Sequence, residues 1–342
     1  MRRLTFLALG KAEWREAPDA VLEGAAEALV RPLVIGRCDL DTAFLRGALP
    51  LPSGEPIGHE MIGEVLEAGD AVRGIRPGDR VIVPAQISCG LCRNCRRGFT
   101  GRCQAVPFGA SYGMGREGGF GSLASDLVRV PFADAMLVPL PRDSDPVALI
   151  SVADMATDAW RAVGPHLLER PGASVLVMGG RPAVIGLLSA GLAVAMGAAR
   201  VVYADDDEER LAQARCFGAE AVRMPGNLGE PFEIVVDACV PAAWLKQAIR
   251  ATEPEGVVTS VTLHLDAELP FPLLEMYHKG VFFRAGRVNC RPGIEPALHQ
   301  CRHGNFKPEL IKTTLVPYDL APEAWPSNAL RVAAAVPELL PQ

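Results

Sequence analysis

At 342 residues the chain is long enough for two cores, and with 49% apolar and 22% charged residues it has the make-up of a globular protein, not a disordered or fibrous one. A formal net charge of -6 without any long Lys/Arg run argues against a nucleic-acid partner, since backbone phosphates select a basic face. The most apolar segment, Ala183 to Met196, is broken by glycine and too short to span a membrane, and nine cysteines without a secretion signal suit a reducing compartment, taken as the cytoplasm.

The first ten residues, ending Leu7-Ala8-Leu9-Gly10, read as a β-strand, because polar Lys11, Glu13 and Glu16 follow a short apolar run at once. Short alternations at Ala28 to Val34, Gly63 to Glu67 and Asp79 to Val83, cut by Gly/Pro turns, make residues 1–155 a β-rich, barrel-like domain. From about Gly164 the rhythm becomes strand, helix, strand: Ser174 to Met178, Ala183 to Met196 stopped by Gly197, then Arg200 to Ala204. Further strands are expected at Glu233 to Ala238, Gly256 to Val261 and Gly280 to Arg284, with a helix over Ala242 to Thr252. This alternation predicts an α/β domain over 156–289, a doubly wound sheet completed by six strands. A short helix near Ile294 to His303 opens a tail, 290–342, expected to return to the first domain.

Cys89, Cys92, Cys95 and Cys103 have the spacing Cys-x2-Cys-x2-Cys-x7-Cys, with Gly90, Gly98 and Gly101 to turn the backbone. Four thiolates on one tight loop are what a closed tetrahedral zinc site needs. An iron–sulfur loop has similar ligands, but nothing beside it suggests electron transfer. With every position taken by protein, this zinc would hold a lobe together and do no chemistry.

Cys38 and the pair His59-Glu60 each stand beside turn-forming glycines, in Gly36 to Asp41 and Gly58 to Gly63. Taken alone, each is as readily a core thiol or a hydrogen-bonded histidine as a metal ligand. The run Gly58 to Val72, GHEMIGEVLEAGDAV, resembles the signature of the zinc-containing alcohol dehydrogenases of the medium-chain dehydrogenase/reductase family. The resemblance spans nearly the whole chain from Lys11 to Glu16 onward and fades after about residue 315. It implies a GroES-like catalytic domain, a Rossmann dinucleotide-binding domain and two zinc ions per chain. It further implies that Cys38, His59 and Asp154 bind a catalytic zinc, that Glu60 is a nearby or alternating ligand, and that Asp41 orients the histidine. Asp154 has a competing reading as the N-cap of the helix that follows it. Relatives commonly keep a hydroxyl residue and a histidine at the positions of Leu40 and Ala43, so the usual proton relay is missing here; Asp158 stands where many keep threonine.

The strand ending at Met178 runs into Gly179-Gly180-Arg181-Pro182 and then a helix bearing Gly186, the context in which backbone amides approach a pyrophosphate. The spacing departs from Gly-x-Gly-x-x-Gly, and the turn alone is ambiguous. Asp205, ending the next strand 19 residues after Gly186, is placed to accept ribose hydroxyls. The acidic run Asp205 to Glu209 would repel the extra phosphate of NADP, so NAD is expected; the family resemblance implies that Arg210 matches a basic position near the adenosine. The expected function is hydride transfer between an alcohol, or its aldehyde or ketone, and NAD. The competing readings are a relative that only binds NAD and zinc, or one that dismutates or oxidises aldehydes on tightly held NAD. A homo-oligomer, dimer or tetramer, is implied by resemblance alone. Cys216, Cys239, Cys290 and Cys301 and the remaining histidines receive no role.

Overall fold

A computed structural model describes residues 1–114, 119–266 and 268–341. The chain divides into two units: one of Met1–Thr157, Asn289–Glu295 and Thr313–Gln342, the other of Asp158–Val288 and Pro296–Lys312. The tail is therefore shared, with 296–312 grouped in the second unit, where Gln213 Nε2 donates to the Leu310 carbonyl (2.7 Å) and Lys312 pairs with Glu209 (2.8 Å). Among the described residues no helix is long and apolar enough to cross a membrane.

In the first unit, β1 (Arg2–Ala8) and β2 (Lys11–Glu16) form an antiparallel hairpin. The main sheet uses β3 (Ala28–Gly36), β4 (Glu60–Ala68), β5 (Arg80–Val83), β6 (Val128–Val130) and β7 (Val138–Pro139). From the tail come β14 (Thr313–Pro317) and β15 (Arg331–Ala335), giving the order β14-β15-β3-β4-β5-β7 with β6 also on β3. Strand β15, Arg-Val-Ala-Ala-Ala, is buried throughout; its small side chains carry little alternation, so the sequence gives no strand signal there. Leu4, Ile35, Ile57, Met61, Val65, Val81, Tyr112 and Trp325 build the core beneath this sheet.

The second unit holds a six-stranded sheet in the order β10-β9-β8-β11-β12-β13, every pair parallel. Its members are β8 (Val175–Met178), β9 (Val201–Asp205), β10 (Glu220–Arg223), β11 (Phe232–Asp237), β12 (Thr252–Ser260) and β13 (Phe282–Arg284). The chain winds outward from β8 to β10, then returns past β8 to β11, so a switch point lies between β8 and β11. Strands β8 and β9 are buried at every residue, as a parallel sheet covered on both faces requires. The sixth strand of the doubly wound sheet, β10, is only Glu-Ala-Val-Arg, too short and polar to stand out. β12 starts four residues before the expected Gly256, because Thr252 already pairs with Phe232 across an irregular step in the ladder.

Candidate metal centres and dinucleotide site

Three of the sequence-singled residues converge in the first unit: donor atoms of Cys38, His59 and Asp154 all lie within 4.8 Å of one another, and all three residues are buried. Cys38 follows β3 and opens the helix Asp39–Leu45, His59 precedes β4, and Asp154 ends a short 3-10 turn before the helix Met155–Glu169. Asp41, 0% exposed, ties the first two segments together by accepting the backbone N–H of Cys38 on Oδ2 (3.0 Å) and of Gly58 on Oδ1 (3.1 Å). Gly58 has φ +99°, and a Cβ there would lie 2.7 Å from that of Ala124, so glycine is required to turn His59 inward.

His59 is fully buried, yet neither ring nitrogen has a hydrogen-bond partner among the described residues. Nδ1 lies 3.5 Å from Asp41 Oδ1 and Nε2 3.6 Å from Asp154 Oδ2, distances too long for good hydrogen bonds. An orphaned buried imidazole is costly, and a cation at Nε2, with the Nδ1 proton turned to Asp41, resolves it. The titration tendencies agree. Burial, the largest influence, opposes protonation of His59, but Asp41, Asp154 and Glu60 push it up to about 9. Burial, then Asp154 and Glu60, drive the Cys38 thiol well above its ordinary value, and burial pushes Glu60 up to about 7 against the pull of Arg331. All three follow from buried negative charge that a divalent cation would neutralise. A thiol, an imidazole and a carboxylate are a zinc-compatible donor set, and three protein ligands leave a position open.

Glu60 is not part of this triad of donors. Its Oε2 accepts from Arg331 Nη2 (2.9 Å) and its Oε1 from the Met155 N–H (3.2 Å), a pair buried to 2% and 0% exposure. Gly36 sits opposite Glu60 in the β3–β4 register, and a Cβ on it would collide with Glu60 Oε2. The carboxylate of Asp154 does not cap the helix behind it; the Asp154 carbonyl accepts from the Thr157 amide and hydroxyl, while the side chain faces the cluster. Leu40 and Ala43, half-buried on the helix Asp39–Leu45, bring no polar group.

The four sulfurs of Cys89, Cys92, Cys95 and Cys103 also lie within 4.8 Å of one another, and none is in a disulfide. Backbone amides are aimed at them. Cys92 Sγ accepts from Gln104 (3.4 Å) and Cys95 (3.5 Å), Cys89 Sγ from Cys92 (3.4 Å), and Cys103 Sγ from Cys89 and Ala105 (3.4 Å each). The amides of Gln104 and Cys95 draw the Cys92 thiol down to about 6, whereas burial pushes Cys95 up to about 12. Oriented N–H dipoles around a sulfur knot stabilise thiolates, which is the form a closed zinc site uses.

In the second unit, β8 leads through Gly179 and Gly180 into the helix Ala183–Ala195, with Gly180 at φ +141°. Gly186 lies inside that helix, where a Cβ would come 3.0 Å from Ala238 Cβ; its role is close packing of helix on sheet. Asp205, at the end of β9, is 0% exposed and fully engaged. It accepts from Arg210 Nε (2.7 Å) and Nη2 (2.6 Å), Tyr203 Oη (2.8 Å) and the Asp207 amide (3.1 Å). Burial, the largest influence, would raise its carboxyl, but these donors hold it below the ordinary range. Asp207 caps the helix Glu208–Cys216 by accepting the Arg210 N–H (2.9 Å). Asp158 pairs with Arg161 (2.6 Å), which also donates to the Ser260 carbonyl.

Sequence reasoning missed Arg331, Tyr203, Cys290 and the pair Asp237–His264. Arg331 lies in the tail with no motif about it. Tyr203 shares with Asp205 one face of β9, and that two-residue spacing was the available signal.

Residues 24–142 match the description "Alcohol dehydrogenase GroES-like domain" and residues 184–290 the description "Zinc-binding dehydrogenase". The chain is 30% identical over 275 residues to a medium chain reductase/dehydrogenase of Acremonium sp, covering 73% of this chain and 88% of the relative. It is 26% identical over 361 residues to zinc-type alcohol dehydrogenase B of Aspergillus flavus, covering 98% and 81%. Among solved structures, alcohol dehydrogenase TADH from Thermus sp. ATN1 superposes with a TM-score of 0.90 at 29% identity, covering 98% of this chain and 100% of the other.

Proposed function

Because this chain belongs to the zinc-containing alcohol dehydrogenases of the medium-chain dehydrogenase/reductase family, we propose that it interconverts an alcohol and its aldehyde or ketone with NAD, on a zinc held by Cys38, His59 and Asp154. It is an oxidoreductase with a GroES-like and a Rossmann-type domain, taking zinc and a nicotinamide cofactor. The observation that carries the reading of the site is the orphaned His59 imidazole amid three buried carboxylates and a thiol. In our reading the second zinc sits on Cys89, Cys92, Cys95 and Cys103, residues 1–155 are the catalytic part and 156–289 the dinucleotide part.

When bound at the triad, zinc supplies a Lewis acid that polarises the substrate oxygen and lowers the pKa of an alcohol. Asp41 fixes the tautomer and aim of His59, and Arg331 holds Glu60 off the triad. Leu40 and Ala43 carry no proton, so the alcohol proton leaves through water or another group. Gly179 and Gly180 admit the cofactor's phosphates to backbone amides, and Asp205, kept ionised by Arg210, takes the adenosine ribose only in exchange for one of the Arg210, Tyr203 or Asp207 donors that now fill its oxygens. NAD is favoured because Asp206, Asp207, Glu208 and Glu209 crowd the same helix start and oppose a further phosphate.

The test is metal content by mass spectrometry alongside NADH formation on an alcohol panel. We expect two zinc ions per chain, one lost with activity in Cys38→Ser and the other lost in Cys95→Ser, and a higher kcat/KM with NAD than with NADP. Full zinc retention by Cys38→Ser would remove the triad from the mechanism.

A further inference from the structure

We propose that Cys290 is a positioning residue for the triad's metal: its thiol holds one oxygen of Asp154 so that the other alone faces zinc. This rests on the zinc reading of Cys38, His59 and Asp154 given above. Cys290 is 0% exposed and opens the helix Cys290–His303, at the point where the chain re-enters the first unit. Its Sγ lies 3.0 Å from Asp154 Oδ1, short for a bond from a sulfur donor. The backbone is itself anchored, since the Cys290 N–H donates to Oε1 of buried Gln86 (2.9 Å).

The two Asp154 oxygens thus have separate duties. Oδ2 lies 3.6 Å from His59 Nε2, on the side of the cluster, while Oδ1 is taken by the thiol. Cys290 does not belong to the group whose donor atoms lie within 4.8 Å of one another, so it is no fourth ligand. A carboxylate with both oxygens free can chelate a metal and fill the position that a catalytic zinc must leave open. A donor on Oδ1 disfavours that mode, and such partners of ligating carboxylates contribute strongly to affinity.

Zinc release from the intact enzyme to a chromogenic chelator tests this, with release from the four-cysteine site as an internal control. Cys290→Ala is expected to weaken retention in the phase abolished by Cys38→Ser by about 10–100-fold, leaving the phase abolished by Cys95→Ser unchanged. Cys290→Ser, which keeps a donor, is expected to restore most of that retention and the visible absorption of the cobalt-substituted triad. Wild-type release from Cys290→Ala, equal loss in both variants, or equal acceleration of both phases would overturn the proposal. A wild-type protein with no phase sensitive to Cys38→Ser would instead overturn the zinc reading on which it rests.

Discussion

His59 and His264 show how one residue type serves opposite ends. His59 is sealed among carboxylates with neither nitrogen satisfied, a state suited to a cation. His264 has a partner: its Nε2 lies 2.9 Å from Oδ2 of Asp237, a fully buried carboxylate that also accepts from Ser260 Oγ (2.7 Å) and Cys239 Sγ (3.0 Å). The hydrogen bond to Asp237, then its charge and that of Asp266, raise His264 above its ordinary value despite partial burial. A raised folded-state value means stabilisation that is complete below the unfolded value of about 6.5 and lost as pH rises through the folded one. His264→Gln should therefore lower the melting temperature more at pH 6 than at pH 9. An equal drop at both would show that the imidazole acts by packing, not charge.

At the scale of elements, the turn from β8 into the helix Ala183–Ala195 separates two glycines that the sequence cannot tell apart. A Cβ at Gly179 would strike the Tyr203 ring and lie 2.6 Å from Asp205 Oδ2, so the glycine, the tyrosine and the carboxylate clamp form one packed device. At Gly186 the nearest atom is Ala238 Cβ at 3.0 Å, a contact that small shifts relieve. Overpacking of this kind costs about 1–3 kcal/mol. Gly179→Ala is accordingly expected to lower the melting temperature and, by displacing the Tyr203–Asp205 clamp, to weaken NADH binding, and Gly186→Ala to do both less. Fluorescence titration of NADH checks the order; Gly186→Ala the more damaging would refute the assignment of the turn.

For the whole molecule, the parallel sheet ends at β13, an edge strand whose Phe282 is 62% exposed. The neighbouring helix Leu273–Lys279 has no buried residue and presents Leu273 (68%), Leu274 (71%) and Tyr277 (82%) to solvent. Open edges beside apolar patches are sites of association, so the homo-oligomer that the family resemblance implies is expected to form through this face. Sedimentation is expected to give a multiple of 36.4 kDa, reduced to the monomer by Phe282→Lys. A monomeric wild type would end that reading.

The spacing of Cys89, Cys92, Cys95 and Cys103, the run from Gly58 to Val72, and the strand–helix rhythm from Ser174 were legible in sequence, because ligand spacing and periodicity are local properties of the chain. They foretold both the fold class and the family. The partners were not legible. Arg331 lies 271 residues from the Glu60 it neutralises, and Cys290 lies 136 from the Asp154 it holds. Nor could sequence say that Arg210 and Tyr203 occupy both oxygens of Asp205, or that Glu60 turns from Cys38 and His59 toward arginine. A buried charge must be satisfied by whatever the fold brings to it, and only the packed chain decides what that is.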